Sequence, residues 1–361
     1  MATHKITTVD QLHTYLYAAM QLEHATIPPY LTALYSLHPS RNPDASHVIR
    51  TVVVEEMLHL TLAANILNAV GGTPDLTAAD FIPTYPACLP DGETDFQVSR
   101  RAFSRDAVQT FLDIERPAEA PHEDKRVVSR DPDSGPHLPA SYAVSYAMSG
   151  MRYWSIGEFY EEIRRGLVHL HQQMGDALFC GDRERQAGPE NYYSGGGDLT
   201  AVTDLASAIE AIRLISEQGE GLRGGIYDSA HELSHEHRFE QLMLGRYYQP
   251  GDRAGNPTGP VLHVDWDAVY PVKTDVTIDD FPEGSELRTA AIDFNQRYAE
   301  FLAFLTQTFN GAPQRLADAV IEMLCLRDGM QQLMRNPIPG QEGVNGGPTF
   351  EVARLREKVA S

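Results

Sequence analysis

The chain is poor in cysteine. Cys88, Cys180 and Cys325 stand far apart in 361 residues, with no Cys-x-x-Cys spacing, which excludes a disulfide framework and a thiolate zinc knuckle. Any metal must therefore be held by histidine and carboxylate ligands. The chain is also poor in positive charge: 29 Lys and Arg stand against 50 Asp and Glu, a formal net charge of −21. Nucleic acid and anionic membrane surfaces are excluded as general partners on that ground. No uninterrupted apolar run approaches 18 residues, and the opening MATHKITTVDQLHTYLY lacks both the regions of a signal peptide and a small-residue cleavage site. A soluble, cytoplasmic protein is expected. What is present is an ordinary globular composition, 42% hydrophobic and 22% charged, long enough for one large domain or two smaller ones with real cores.

Long helical patterns alternate with long connections rich in proline and glycine, without a fixed-period repeat. Helical spacing predicts a first helix from about Val9 to Leu37, which Pro28 and Pro29 must break or kink. A second runs from about Ser46 to Val70 and ends at Gly71-Gly72. Thr73 to Ser145 is irregular apart from a short helix near Arg105 to Ile114, and a stretch of that length is expected to cover something. A third helix spans about Met148 to Leu178, an extra one Val202 to Glu217, and a fourth Tyr227 to Tyr248. A second irregular stretch, Gln249 to Gly284, precedes closing helices near Ser285 to Asn310 and Pro313 to Met334. Their short Gly-Ala-Pro connection predicts an antiparallel pair packed on the same body. The fold class is thus all-α, with residues 1–250 as a helical bundle that includes the insertion at 73–145, and 251–361 as a loop plus a helical pair.

The chemistry lies in two Glu-x-x-His pairs, Glu56 with His59 on the second helix and Glu232 with His235 on the fourth. Residues three apart share a helix face. Each pair follows an apolar row: Ile49, Val52, Ala63 and Ile66 accompany the first, Phe239 and Leu242 the second. A buried carboxylate is costly unless an opposite charge meets it, and neither row offers a Lys or Arg. On the first helix, Leu16, Ala19, Glu23, Ile27, Tyr30 and Leu34 form a third inward row with one carboxylate. The third helix supplies Glu158, Glu161 and Glu162; neighbouring Phe159 and Gly166 favour Glu162, while Glu158 sits beside Trp154 and Arg165. Two helices giving one Glu each, and two giving Glu-x-x-His, make up the ligand set of ferritin-like dimetal-carboxylate four-helix bundles. Glu55, whose own row is also apolar, reads as a partner behind the ligands. His24 points about 100° away from Glu23 and reads as a packed or surface histidine, and Tyr30 reads as a core tyrosine.

His231 to His235 also spells H-E-x-x-H, the zinc-hydrolase signature. Its extended form needs a downstream glycine and histidine, where this chain has Arg238 and Gln241. The row through His231 is polar, and the zinc reading leaves Glu23, Glu56 and His59 without a role.

The segments LEHATIPPYLTALYS (22–36), EEMLHLTLAANILNAVGGTP (55–74), SIGEFYEEIRRGL (155–167) and HELSHEHRFEQL (231–242) resemble the ferritin-like family described as iminophenyl-pyruvate dimer synthase. That domain also occurs within the large violacein and rebeccamycin pathway proteins that couple two aromatic imino acids. The similarity covers roughly residues 8–250. It implies a ferritin-like four-helix bundle, here with extra C-terminal helices and two long loop insertions. It also implies metal ligands at Glu23, Glu56, His59, Glu158, Glu232 and His235, which moves the third-helix choice to Glu158. Four carboxylates and two imidazoles suit two iron ions, or manganese with iron, better than copper or zinc. The activity implied is an O2-dependent oxidase or oxygenase acting on a small, amino-acid-derived metabolite. Its reducing equivalents would come from an external donor or from the substrate. The long loops at 73–145 and 249–284 would build the substrate pocket. A ferroxidase of the storage type is the alternative, although insertions of this size would obstruct assembly of a storage shell.

Overall fold

The computed structural model describes residues 6–38, 40–91, 95–117, 153–192, 199–222 and 225–352. Its helices are α1 (Val9–Ser36), α2 (Pro43–Ala69), α3 (Arg105–Ile114), α4 (Ile156–Met174), α5 (Leu205–Glu220), α6 (His235–Leu244), α7 (Glu286–Phe309), α8 (Leu316–Cys325) and α9 (Arg327–Met334). Among the described residues only isolated bridges, and no strands, accompany them. The all-α expectation holds, as does the boundary of the short helix at 105–114. The last expected helix is interrupted at Leu326, giving α8 and α9.

Helices α1 and α2 pack along each other. α4 lies on α1, α5 lies on α2, and α4 meets α5, which closes a four-helix arrangement. The segment read as an extra helix, α5, is thus one of its four members. The expected fourth helix is shorter than its periodicity suggested: residues 227–234 form turns, Ser234 is the N-cap, and α6 begins at His235. α6 packs on α3, and the two reach α1, α2 and α5. The closing helices join the same body, α7 against α8 and α9, and α9 against α1.

α1 and α2 are not amphipathic surface helices. Every residue from Ala18 to Leu37 and from Val52 to Val70 is buried, the pattern of helices enclosed on all sides. By length and mean hydropathy α2 qualifies to cross a membrane, yet its most apolar 18-residue window is wholly buried inside the protein. It is the core helix of the bundle.

Pro28 and Pro29 do not break α1, which runs on to Ser36. A proline within a helix removes the donor that its fourth preceding carbonyl would receive, so Pro29 leaves Ala25 without one. The Tyr85 hydroxyl, from the insertion that follows α2, donates to Ala25 O at 2.8 Å. A side chain distant in sequence thus replaces the lost backbone bond, a substitution that helical spacing cannot reveal. Tyr85→Phe should leave that buried carbonyl unsatisfied and lower stability in urea denaturation by about 1–3 kcal/mol, with helix content by circular dichroism unchanged in the native state.

Candidate metal centre

Five ionisable side chains converge between the two long helices and the ends of two short ones. α1 presents Glu23, α2 presents Glu56 and His59 one turn apart, Glu115 is the C-cap residue of α3, and His235 is the first residue of α6. None is more than 3% exposed. Glu56, His59 and His235 each offer a ligand atom within 4.8 Å of the others. The two imidazole rings stack at 5.2 Å between centroids.

Each member has one polar atom tied outward and another turned inward. Tyr160 donates to Glu23 Oε1 (2.6 Å), leaving Glu23 Oε2 3.5 Å from His59 Nδ1. Thr26 donates to Glu56 Oε2 (2.9 Å), leaving Oε1 3.0 Å from His235 Nδ1 and 4.0 Å from His59 Nδ1. Tyr30 donates to Glu115 Oε1 (2.6 Å), leaving Oε2 3.6 Å from His235 Nδ1. His59 Nε2 lies 2.9 Å from Gln218 Oε1, and His235 Nε2 lies 2.9 Å from Glu55 Oε2. Because a carboxylate accepts and does not donate, His235 Nε2 carries a proton, and Nδ1 is the nitrogen that faces the cluster. His235 Nδ1 is buried there without a hydrogen-bond partner.

Without a cation this arrangement is electrostatically poor. No Lys or Arg among the described residues forms an ion pair with Glu23, Glu56 or Glu115; Arg238, 3.5 Å from Glu55 Oε1, serves the carboxylate behind His235. Burial, and then Glu115, push the Glu56 carboxyl up to about 7. Burial lowers the two histidines, but Glu23 and Glu56 outweigh it at His59, and Glu115, Glu55 and Glu56 at His235, so both rise above their ordinary value. Burial and the neighbouring carboxylates raise Tyr30 and Tyr160 well above theirs, so both hydroxyls keep their protons. Inward oxygen donors and two imidazole Nδ1 atoms, one of them buried without a hydrogen-bond partner, fit a site for divalent cations of the iron or manganese kind.

Of the six residues expected as ligands, the structure brings Glu23, Glu56, His59 and His235 together and leaves two out. Glu158 stands in the first turn of α4, where its backbone N–H donates to the N-cap Ser155 and its carboxylate accepts from Trp154 N at 2.9 Å. The Ser-x-x-Glu spacing is a helix-start signature, and helix capping occupies this glutamate. α4 contributes Tyr160 instead. Glu232 precedes α6, is 46% exposed in its side chain, and pairs with Arg238 at 2.9 Å. The second Glu-x-x-His therefore does not lie on one helix. The zinc-hydrolase pattern fails for the same reason, because His231 lies exposed in a turn with φ 66°.

Glu162 is buried but acts on Tyr15 and Tyr153, while Glu161 pairs at the surface with Arg164 and Arg165. Glu55 stands behind His235, as its row suggested. His24 is buried against Tyr298, its Nε2 2.6 Å from the hydroxyl. Tyr30 proves to be a partner of Glu115 rather than a plain core residue. Glu115 is the residue the spacing argument missed. It continues the buried row Val108, Phe111 of α3, a signal present in the sequence within a segment read as covering loop.

Glu56→Ala and Glu115→Ala should each remove bound metal, measured by elemental analysis after iron loading. Glu158→Gln, Glu232→Gln and His231→Ala should retain the wild-type metal content. A pH effect follows too. Metal-free, the folded cluster holds protons on Glu56, His59 and His235 beyond the range in which the unfolded chain releases them, so its stability is present at low pH and is lost as pH rises. Bound cations replace those protons. The gain in Tm on metal loading should therefore grow from about pH 6 to about pH 8, read by calorimetry with and without metal.

The chain matches the sequence profile of the ferritin-like family over residues 16–244. It is 27% identical over 335 residues to dichlorochromopyrrolate synthase of Lentzea aerocolonigenes, an alignment covering 86% of this chain but only 30% of that protein's length. The resemblance to rebeccamycin-pathway proteins is thereby borne out, and this chain corresponds to under a third of that relative. In fold it resembles the crystal structure of a ferritin-like protein from Caulobacter vibrioides, with a TM-score of 0.61 and 24% identity over 95% of this chain and 99% of that one. The four-helix arrangement and the profile match over most of the chain agree: this chain belongs to the ferritin-like family.

Proposed function

We propose that the protein is an O2-dependent non-haem di-iron, or manganese/iron, oxidase or oxygenase acting on a small amino-acid-derived metabolite. The observation that carries this reading is the cluster of inward-facing atoms from Glu23, Glu56, His59, Glu115 and His235, each immobilised from behind, with no Lys or Arg among the described residues paired to its carboxylates. Ions held there would supply the activation of dioxygen. The protein's own residues do the rest. Tyr160 and Tyr30 keep a proton at Glu23 Oε1 and Glu115 Oε1, fixing which carboxylate oxygen faces inward. Ile114, Ile156 and Ile215 line the cavity beside the cluster, apolar surface of the kind that would keep bulk water from such a centre. The 27% identity to a synthase supports an enzyme of secondary metabolism, and the resemblance to proteins that couple aromatic imino acids supports an amino-acid-derived substrate.

One observation favours the ferroxidase alternative. The cavity beside Glu23, Glu56, His59 and Glu115 measures about 10 Å³, room for about one water. Of the insertion expected to build a substrate pocket, residues 92–94 and 118–145 lie outside the described residues, and the described part gives Ile114, Glu115 and Arg116 to this cavity's wall.

Oxygen uptake separates the two readings. Iron-loaded protein incubated with amino acids and their 2-oxo and 2-imino acids should consume O2 in a metabolite-dependent way, with a product mass change that Glu56→Ala abolishes. Uptake proportional to added Fe(II), and indifferent to every metabolite, would instead establish iron oxidation.

A further inference from the structure

The two imidazoles enter the cluster alike but are backed differently. Behind His235, Nε2–H donates to Glu55 Oε2 at 2.9 Å, and this carboxylate is 2% exposed. Behind His59 the partner at the same distance is the neutral amide oxygen of Gln218 on α5. An imidazole that donates to a carboxylate becomes the more basic ligand at its other nitrogen. The anion behind it adds to the negative potential in an interior that screens poorly.

The shared carboxylate reinforces the difference. Glu56 Oε1 lies 3.0 Å from His235 Nδ1 and 4.0 Å from His59 Nδ1. The remaining carboxylates do not cancel it, because Glu115 Oε2 approaches His235 as Glu23 Oε2 approaches His59, at 3.6 and 3.5 Å. We propose that the cluster holds two cations in unequal positions. The tighter lies among His235, Glu115 and Glu56 and the weaker among His59, Glu23 and Glu56, with Glu55 and Gln218 as the positioning residues that set the difference. This rests on the dimetal reading above.

Arg238 completes the device. Its Nη2 lies 3.5 Å from Glu55 Oε1 and 2.9 Å from Glu232 Oε2. Its charge is thus divided between a buried and an exposed carboxylate, so Glu55 is oriented without being fully neutralised. Glu55 Oε2 thereby stays turned to His235 Nε2 as its acceptor, with Oε1 on the Arg238 side. Glu232, expected as a ligand, acts two links further out.

The test is a titration of metal-free full-length protein with Mn(II), free ion being read from its electron paramagnetic resonance signal. Wild type should bind two ions in two steps separated by about tenfold or more in affinity, the gap expected of a lost or gained partner behind a ligating histidine. Glu55→Gln should weaken the first step about 10–100-fold and leave the second unchanged. Gln218→Glu should tighten the second, and the double exchange should reverse which histidine variant, His59→Ala or His235→Ala, removes the tighter ion. Circular dichroism checks that each variant folds. Two equal steps in wild type, or a Glu55→Gln variant that weakens both steps alike, would overturn the inequality while leaving a dimetal centre intact. Wild type that binds one Mn(II) or none would overturn the dimetal reading and this inference with it.

Discussion

The constraint on which the rest of the structure depends is the burial of three carboxylates and two imidazoles with their free atoms facing one another. Such a cluster repels itself unless protons or cations intervene, so each member must be held in place from outside. Tyr160, Thr26, Tyr30, Gln218 and Glu55 do this, one for each member. They come from α4, α1, α5 and α2, which explains why a bundle of several helices, rather than a helical hairpin, is needed to form the site. Two tyrosine hydroxyls that burial keeps protonated leave the carboxylates no freedom to turn their inner oxygens away.

The same economy shapes the long helices. α1 carries Glu23 and then two prolines, and it stays helical because Tyr85 meets the carbonyl that Pro29 leaves open. The insertion after α2 therefore does more than cover the bundle. Its first part restores the backbone of the helix that presents Glu23, and its short helix α3 ends in Glu115. The irregular segments thus contribute both a structural bond and a member of the cluster, while the described residues leave only a small cavity beside it.

Much of this was legible in the sequence, and the residues that the structure places elsewhere share a cause. Glu23, Glu56 and His59 lie on helices more than 25 residues long, where three-residue spacing and rise per residue fix relative positions whatever packs around them. Row analysis could not separate Glu55 from Glu56, since α2 is buried on every side and no row marks the outside. Both are buried, and only their partners distinguish them. Glu158 and Glu232 lie away from the cluster at helix starts, where local bonding competes with helical register. Ser155 draws Glu158 into capping α4, and the turn at 228–234 holds Glu232 outside α6, beside Arg238.

By itself the sequence determined the fold class and pointed to the candidate ligands that long helices carry, because periodicity is a local property that tertiary packing does not alter. Only the tertiary structure decided that Glu115 completes the cluster, that α5 rather than α6 is the fourth long member, and that the two histidines have different partners behind them. Those outcomes depend on where the ends of short elements meet across the bundle, between residues as far apart as Glu55 and His235 or His59 and Gln218. No helical period relates such residues, and their encounter is fixed by packing alone.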